Sequence, residues 1–290
     1  MDLEALRRKV HDLYAGEREA LGPAGLHALL ERAEQWQLAP VLAAGGVLVF
    51  PHAGIAECGH QQAACVQAAL DSGADTVIVI SVLHAFTATM EAARQRVSAG
   101  GDPSAELHWG IQGTAIAGPR QEWRGDHALL TWRTLWDAEI QRRGWLGKQA
   151  PRVLERYPYL SAGKPEALPG FAELARVAEN AVIVSTADSF HHGIGYGDDP
   201  AEVHDMDAAG LAHARAVLEE GIALLGEGDY AAYEAHCIRA KSDARDAGPL
   251  FHALRPQVRG EILELVGSDA CALYDSPAPT WVAAALVCWA

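Results

Sequence analysis

Basic residues are scarce in this chain: 23 Lys and Arg stand against 38 Asp and Glu, a formal charge of −15. That balance repels a phosphate backbone and an anionic membrane surface, so neither nucleic acid nor membrane is expected as a partner. Cysteine is sparse as well. Cys58, Cys65, Cys237, Cys271 and Cys288 form an odd set without a CxxC pair, which excludes a disulfide framework and a zinc-ribbon spacing and points to a reducing cytoplasm. No apolar run approaches the roughly 20 residues that cross a bilayer. The most apolar stretch near the end, WVAAALVCWA, reads as a buried strand. The opening MDLEALRRKVHDLYAGEREA is charged and amphipathic, which predicts neither a signal peptide nor an anchor. No unit of about 20 to 50 residues repeats, which excludes a solenoid or propeller. The 28 Gly and 14 Pro are ordinary numbers, so collagen-like and disordered chains are excluded too.

What is present is a chain of 290 residues, half of them hydrophobic, enough to bury one large core. Apolar residues at Leu3, Leu6, Val10, Leu13 and Tyr14 follow a helical rhythm, and a second helix is expected over 24–36, after the Gly22-Pro23 turn. Strand 47–50, helix 59–72 and strand 76–82 then make a βαβ unit, the second strand β-branched and apolar throughout. Further on, 90–101 reads as surface turn and helix, 107–119 as weakly structured, 126–144 as a helix and 156–170 as a loop. A short helix over 171–178 leads to strand 181–185. Three helices over 205–225, 229–245 and 249–265 precede a closing strand from about 279. Together these predict an α/β fold: a single domain with a central mixed, largely parallel sheet flanked by helices on both faces. Within that domain, 1–40 reads as a helical amino-terminal extension and the region around 120–169 as an insertion.

Thirteen histidines are many for an acidic chain of this size, and their positions carry the functional argument. Strand 47–50 runs into Pro51-His52, strand 76–82 into Leu83-His84, and strand 181–185 into a segment holding Asp188, His191 and His192. A single histidine after a strand is commonly a cap. Three at the carboxyl ends of parallel strands converge on the rim where open α/β sheets bind ligands, and imidazoles held there suit iron, copper or zinc. Asp188 can orient an imidazole or accept a proton. Glu234, His236, Cys237, Asp243 and Asp246 are late candidates for a further ligand. Two histidines and a carboxylate make the facial triad of non-haem Fe(II) oxygenases. The remaining histidines read as surface or packing residues, with His108 and His127 placed to line the cleft. Phe86, Trp109, Tyr196 and Trp281 are candidate walls, and Arg124, Arg245 or Arg255 a candidate partner for a substrate carboxylate.

These segments resemble the superfamily that joins the class III extradiol ring-cleaving dioxygenases, catalytic beta-subunit type, with the MEMO-like proteins. VFPHAGIAECG is similar to the MEMO-side PHAG segment, whose histidine is a metal-site residue. ADTVIVISVLHAFTATM is similar to the dioxygenase strand that ends in a histidine ligand. In VSTADSFHHG, Asp188 and His191 match the MEMO-side Asp-x-x-His, and His191 matches the dioxygenase acid–base histidine. CALYDSPAPTWVAAALVCWA is similar to the dioxygenases' closing segment. The resemblance spans most of the chain from about Gly46. It implies Fe(II) on His52, His84 and a late carboxylate, a catechol or aminophenol-type substrate and O2, and His191 as acid and base. It departs at the third ligand. The dioxygenases place a glutamate in this late helical region, and the MEMO-like proteins a cysteine shortly before a Gly/His-Pro step. In SDARDAGPL, matching that step to Gly248-Pro249 puts Arg245 near the cysteine position, so either Asp243 or Asp246 replaces the usual ligand or the site holds only His52 and His84. Alternatives are a MEMO-like redox or hydrolytic protein and a non-catalytic partner subunit of a dioxygenase. A homo-oligomer is the default expectation.

Overall fold

The computed structural model describes residues 3–118, 120–145 and 149–290. The first two residues of the amino-terminal extension, Pro119 at the end of the weakly structured stretch, and 146–148 in the insertion lie outside the described residues. Four parallel strands form the middle of one mixed sheet, in the spatial order β4 (Arg152–Tyr159), β2 (Thr76–Ile80), β5 (Val182–Thr186), β1 (Val47–Phe50). β3 (Gly110–Gly113) pairs antiparallel with β4, and β8 (Thr280–Trp289) antiparallel with β1. β7 (Gly260–Asp269) runs along one edge of β8. The other edge of β8 is shared: Val287–Trp289 pair with β1, and Thr280–Val282 with β6 (His191–Gly193). The gap between those two partners opens where β1 ends and its chain leaves the sheet.

Both faces are covered, and the period of two along the strands sorts their side chains between two cores. Val47, Val49, Ile78, Ile80 and Ile183 pack with α6 (Phe171–Ala178), α7 (Ala208–Gly226), α8 (Tyr230–Arg239) and α9 (Ala247–Leu254). Leu48, Phe50, Val77, Val79, Val182 and Val184 face α1 (Leu3–Ala33), α2 (Ala39–Ala43), α3 (Ile55–Asp71), α4 (Ala88–Ser98) and α5 (Leu130–Arg142). Burying each such side chain contributes about 1.5–3 kcal/mol, and a one-residue slip would exchange the two cores, so the register is strongly held. The expected Gly22-Pro23 turn is a kink in α1, with Gly22 at φ 57°. Among the described residues, no helix is long and apolar enough to cross a membrane.

Three expectations need correction. The loop expected over 156–170 begins as β4, in which Tyr157 and Tyr159 are fully buried. Pro158 is tolerated because the ladder with β2 ends at Arg156, so its missing N–H breaks no bond there. The weakly structured stretch supplies β3. The helix expected over 249–265 is α9 followed by β7, because Pro256 and Gly260 interrupt it and the long edge of β8 offers a ladder. Within the region read as an insertion, β4 and α5 belong to the sheet and the core.

Candidate metal centre

The strand order β2-β5-β1 brings His84, Asp188 and His52 to one rim, since each follows the carboxyl end of its strand. The helical layers add the rest. Asp126 and His127 precede α5 on one side, and Asp243 lies between α8 and α9 on the other. That second connection is tied to the rim segment by its backbone. Asp188 N donates to Asp243 Oδ1 at 2.9 Å, Asp243 N to Asp188 O at 3.3 Å, and His191 N to Ala240 O at 3.3 Å. Two overlapping groups of ligand atoms result, His52–His84–His127 and His52–Asp188–Asp243, each with its atoms within 4.8 Å of one another.

The imidazoles are oriented from behind. Thr186 spends its hydroxyl hydrogen on Phe50 O at 2.9 Å, so its oxygen accepts from His52 Nδ1 at 3.1 Å. Asp126 Oδ2 accepts the His84 backbone N–H at 2.7 Å, and both its oxygens lie 3.1 Å from His84 Nδ1. With both Nδ1 atoms occupied as donors, the Nε2 atoms are the ones presented inward. They lie 3.1 Å (His52) and 3.6 Å (His84) from Asp243 Oδ2, a buried oxygen without hydrogen-bond geometry to either. Buried polar atoms are nearly always satisfied, so this orphaned oxygen between two aimed imidazoles is the feature a cation would complete. His127 Nδ1 is also buried without a partner, and its ring lies 4.2 Å from that of His84.

Charge is distributed unevenly around this group. Burial alone would lower the His52 pKa, but Asp188 and Asp243 raise it. At His84 burial is likewise overcome, by Asp126 and Asp243, and the pKa rises to about 10. His127 goes the other way, held well below the usual range by burial and by the neighbouring His84. Burial opposes ionisation of Asp243, yet His52 and His84 keep its carboxyl well below the ordinary carboxylate range. Without a metal, the carboxylates therefore favour protonation of both imidazoles. A divalent cation can replace both protons.

His52, His84, Asp188, His191 and Asp243 all line one cleft of about 440 Å³. His191 Nδ1 donates to Lys241 O at 2.7 Å, which leaves its Nε2 as the free nitrogen. Asp246 is not brought to the cluster. Its Oδ1 accepts from Ser161 N at 2.7 Å, at the start of α9 and behind β4. His192, on the opposite face of β6 from His191, accepts from His204 N at 2.8 Å and faces Asp198 at 3.1 Å, a structural role. Phe86, Tyr196 and Arg245 line the cleft as expected; Trp109, Trp281, Arg124 and Arg255 are not among its lining residues. Arg255 instead donates to Ala178 O and Ala181 O.

Sequence reasoning missed the orienting residues. Thr186 and Asp126 carry no spacing signal, since Asp126 acts on a histidine 42 positions away. Tyr14 and Glu17 of α1 also enter the cleft. The Tyr14 hydroxyl donates to His52 O, and Glu17 Oε2 accepts from Ile55 N at 2.9 Å, so the amino-terminal helix forms a wall of the site. No family model matches this chain, and no curated protein matches it either.

Proposed function

We propose that this protein is a non-haem Fe(II)-dependent extradiol dioxygenase that opens the ring of a catechol or aminophenol-type substrate with O2, working in the reducing cytoplasm that its free cysteines suit. The observation that carries the reading is the orphaned Asp243 Oδ2 between His52 Nε2 and His84 Nε2, two histidines and one carboxylate. Fe(II) held there would supply open positions for two adjacent substrate heteroatoms and for O2, and a path for electron density from ring to oxygen.

The chain's own residues do the remaining work. Thr186 and Asp126 hold the two imidazoles with their Nε2 atoms inward. His191, its Nδ1–H held by Lys241 O, takes a substrate hydroxyl proton at Nε2 and returns it as the ring opens. Leu6, Val10 and Leu13 of α1 and Phe86 give the cleft apolar walls that exclude water. Both oxygen atoms of O2 enter the product, a muconic semialdehyde-type acid.

A second reading rests on His127. Its orphaned Nδ1 beside His52 and His84 makes a three-histidine set, which suits zinc or copper and a MEMO-like hydrolytic or redox role. Anaerobic iron reconstitution of untagged protein, followed by metal analysis and oxygen uptake over a panel of catechols and aminophenols, separates the two. Near-stoichiometric iron, lost in His52→Ala and His84→Ala, with substrate-dependent oxygen uptake is expected. Iron without uptake on any substrate, or no first-row metal above trace, overturns the dioxygenase reading.

A further inference from the structure

Behind the metal centre, on the far side of the segments that carry Asp188 and Asp243, a second hollow of about 40 Å³ lies between the sheet and helices α7, α8 and α9. Val49 and Val287 bound it from the sheet, Leu218 and Leu225 from α7, and Phe251 from α9. All five are buried. The wall between this hollow and the cleft consists of two segments tied to each other through Asp188 and Asp243. Their residues divide between the two spaces: Ala187, Ser189, Ser242 and Ala244 line the hollow, whereas Asp188 and Asp243 line the cleft. Cys237 and Ser242 line both, so the hollow and the cleft adjoin there.

Protein interiors rarely keep voids, because an empty space forfeits packing. Collapse is resisted here by α8. Its Tyr233 and His236 rest on Gly248 of α9 and Gly221 of α7, so closely that a Cβ at those glycines would come within 2.7 Å and 2.9 Å of them. Water is a poor occupant, since a buried water needs about two to four polar partners and the polar groups of these walls are engaged. Ser185 Oγ donates to Ile80 O at 3.1 Å, Ser242 Oγ accepts from Ala244 N at 3.1 Å, and the Tyr233 hydroxyl donates to the Cys237 sulfur. His236 Nδ1 faces Glu220 at 3.5 Å. Among the described residues, none of the buried polar atoms left without a partner belongs to the hollow, in contrast to Asp243 and His127 in the cleft. Size narrows the guest further. An apolar cavity of about 150 Å³ takes benzene, and roughly 10–15 Å³ suffices for one water-sized molecule. This hollow therefore excludes a six-membered ring and admits a guest of about two heavy atoms, selected for low polarity by its walls.

We propose that the hollow is a dioxygen-binding site, which feeds the metal from behind, past Cys237 and Ser242, while the ring substrate occupies the cleft in front. Delivery to the metal rests on the dioxygenase reading; binding of the gas in the hollow does not.

The first test uses the metal-free full-length protein, which cannot turn over. Dissolved O2 is paramagnetic, so methyl relaxation measured by NMR under oxygen pressure, against a nitrogen control, reports where the gas dwells. Enhancement at the methyls of Val49, Leu218, Leu225 and Val287 should exceed, several-fold, that at the equally buried Leu30 and Leu42 of the opposite core. Leu218→Phe and Leu225→Phe each fill the hollow from α7 and should abolish the enhancement at the remaining methyls; the two variants are independent, so one suffices where the other does not fold. In the iron-loaded protein the same variants should raise KM for O2 several-fold and leave KM for the diphenol, and kcat at saturating O2, unchanged. Uniform enhancement across the buried methyls of the wild type overturns the proposal. So does an unchanged KM for O2 in a variant whose methyls show the hollow filled. Selective enhancement without oxygen uptake on any diphenol would leave the gas site standing and remove the dioxygenase reading.

Discussion

Replacing Asp126 with Asn tests the logic of the centre at a residue that would touch neither metal nor substrate. Asp126 and Asp243 together lift His84 from an ordinary 6.5 to about 10 against the effect of burial. At 1.36 kcal/mol per pKa unit this corresponds to about 5 kcal/mol favouring protonated His84 in the folded, metal-free protein. The sign follows from linkage. A histidine raised in the folded state contributes its full stabilisation below pH 6.5, and that contribution is lost as pH rises through about 10. Metal-free wild type should therefore lose urea resistance between pH 7 and 10, whereas in Asp126→Asn the fall should be at least halved. Asp188 and Asp243 raise the His52 pKa in both proteins while protonated His84 opposes it, so the difference between the profiles reports Asp126 acting on the coupled pair of imidazoles. A second loss is independent of pH. Asp126 receives His84 N on Oδ2 and Ala128 N on Oδ1, and the single oxygen of Asn can satisfy only one of them, which costs about 1–3 kcal/mol. The Asn amide also favours the wrong His84 tautomer, with Nε2 protonated, and metal affinity should drop about 10- to 100-fold. Parallel pH profiles for the two proteins, or unchanged metal affinity, would refute the reasoning.

Other outcomes follow from the same geometry. His191→Ala should retain the metal content of the wild type and lose catechol-dependent oxygen uptake; loss of metal would make His191 a ligand instead. Asp246→Ala should leave metal affinity unchanged in calorimetry while lowering stability by about 1–3 kcal/mol, since it orphans the Ser161 N–H. Burial pushes the Cys237 thiol up to about 12 from an ordinary 9.0, so its thiolate at pH 8 is depleted about a thousandfold and iodoacetamide should label Cys271 well before Cys237. Rapid labelling of Cys237, read by peptide mass analysis, would contradict that burial.

How much of the site was legible depended on how local its signal was. His52, His84, Asp188 and His191 each sit within a few residues of a strand that its own composition announces, and the parallel rule carries such residues to one rim. Asp243 was one of two aspartates three positions apart, and nothing in SDARDAGPL separates them. The separation comes from packing. The segment before α9 is zipped to Asp188 and His191, which turns Asp243 to the histidines, while Asp246 meets the chain end of β4. His127 looked like an ordinary cleft residue because its neighbours His52 and His84 reach it from distant strands. β4 and β7 were hidden for a related reason: Pro158 and the interspersed glutamates of β7 obscure a strand whose stability comes from partner edges elsewhere in the chain.

Alone, then, the sequence determined what is encoded over short range: the apolar β-branched strands, the amphipathic helices, the α/β class and the histidines that end three strands. Those follow from local periodicity and backbone preference, which act within a few residues. Only the tertiary structure decided which aspartate faces the imidazoles, which nitrogen of each imidazole points inward, and that α1 walls the cleft. These features are contacts between segments far apart in the chain, and their free energies come from hydrogen bonds and charges that meet only when the sheet brings them together.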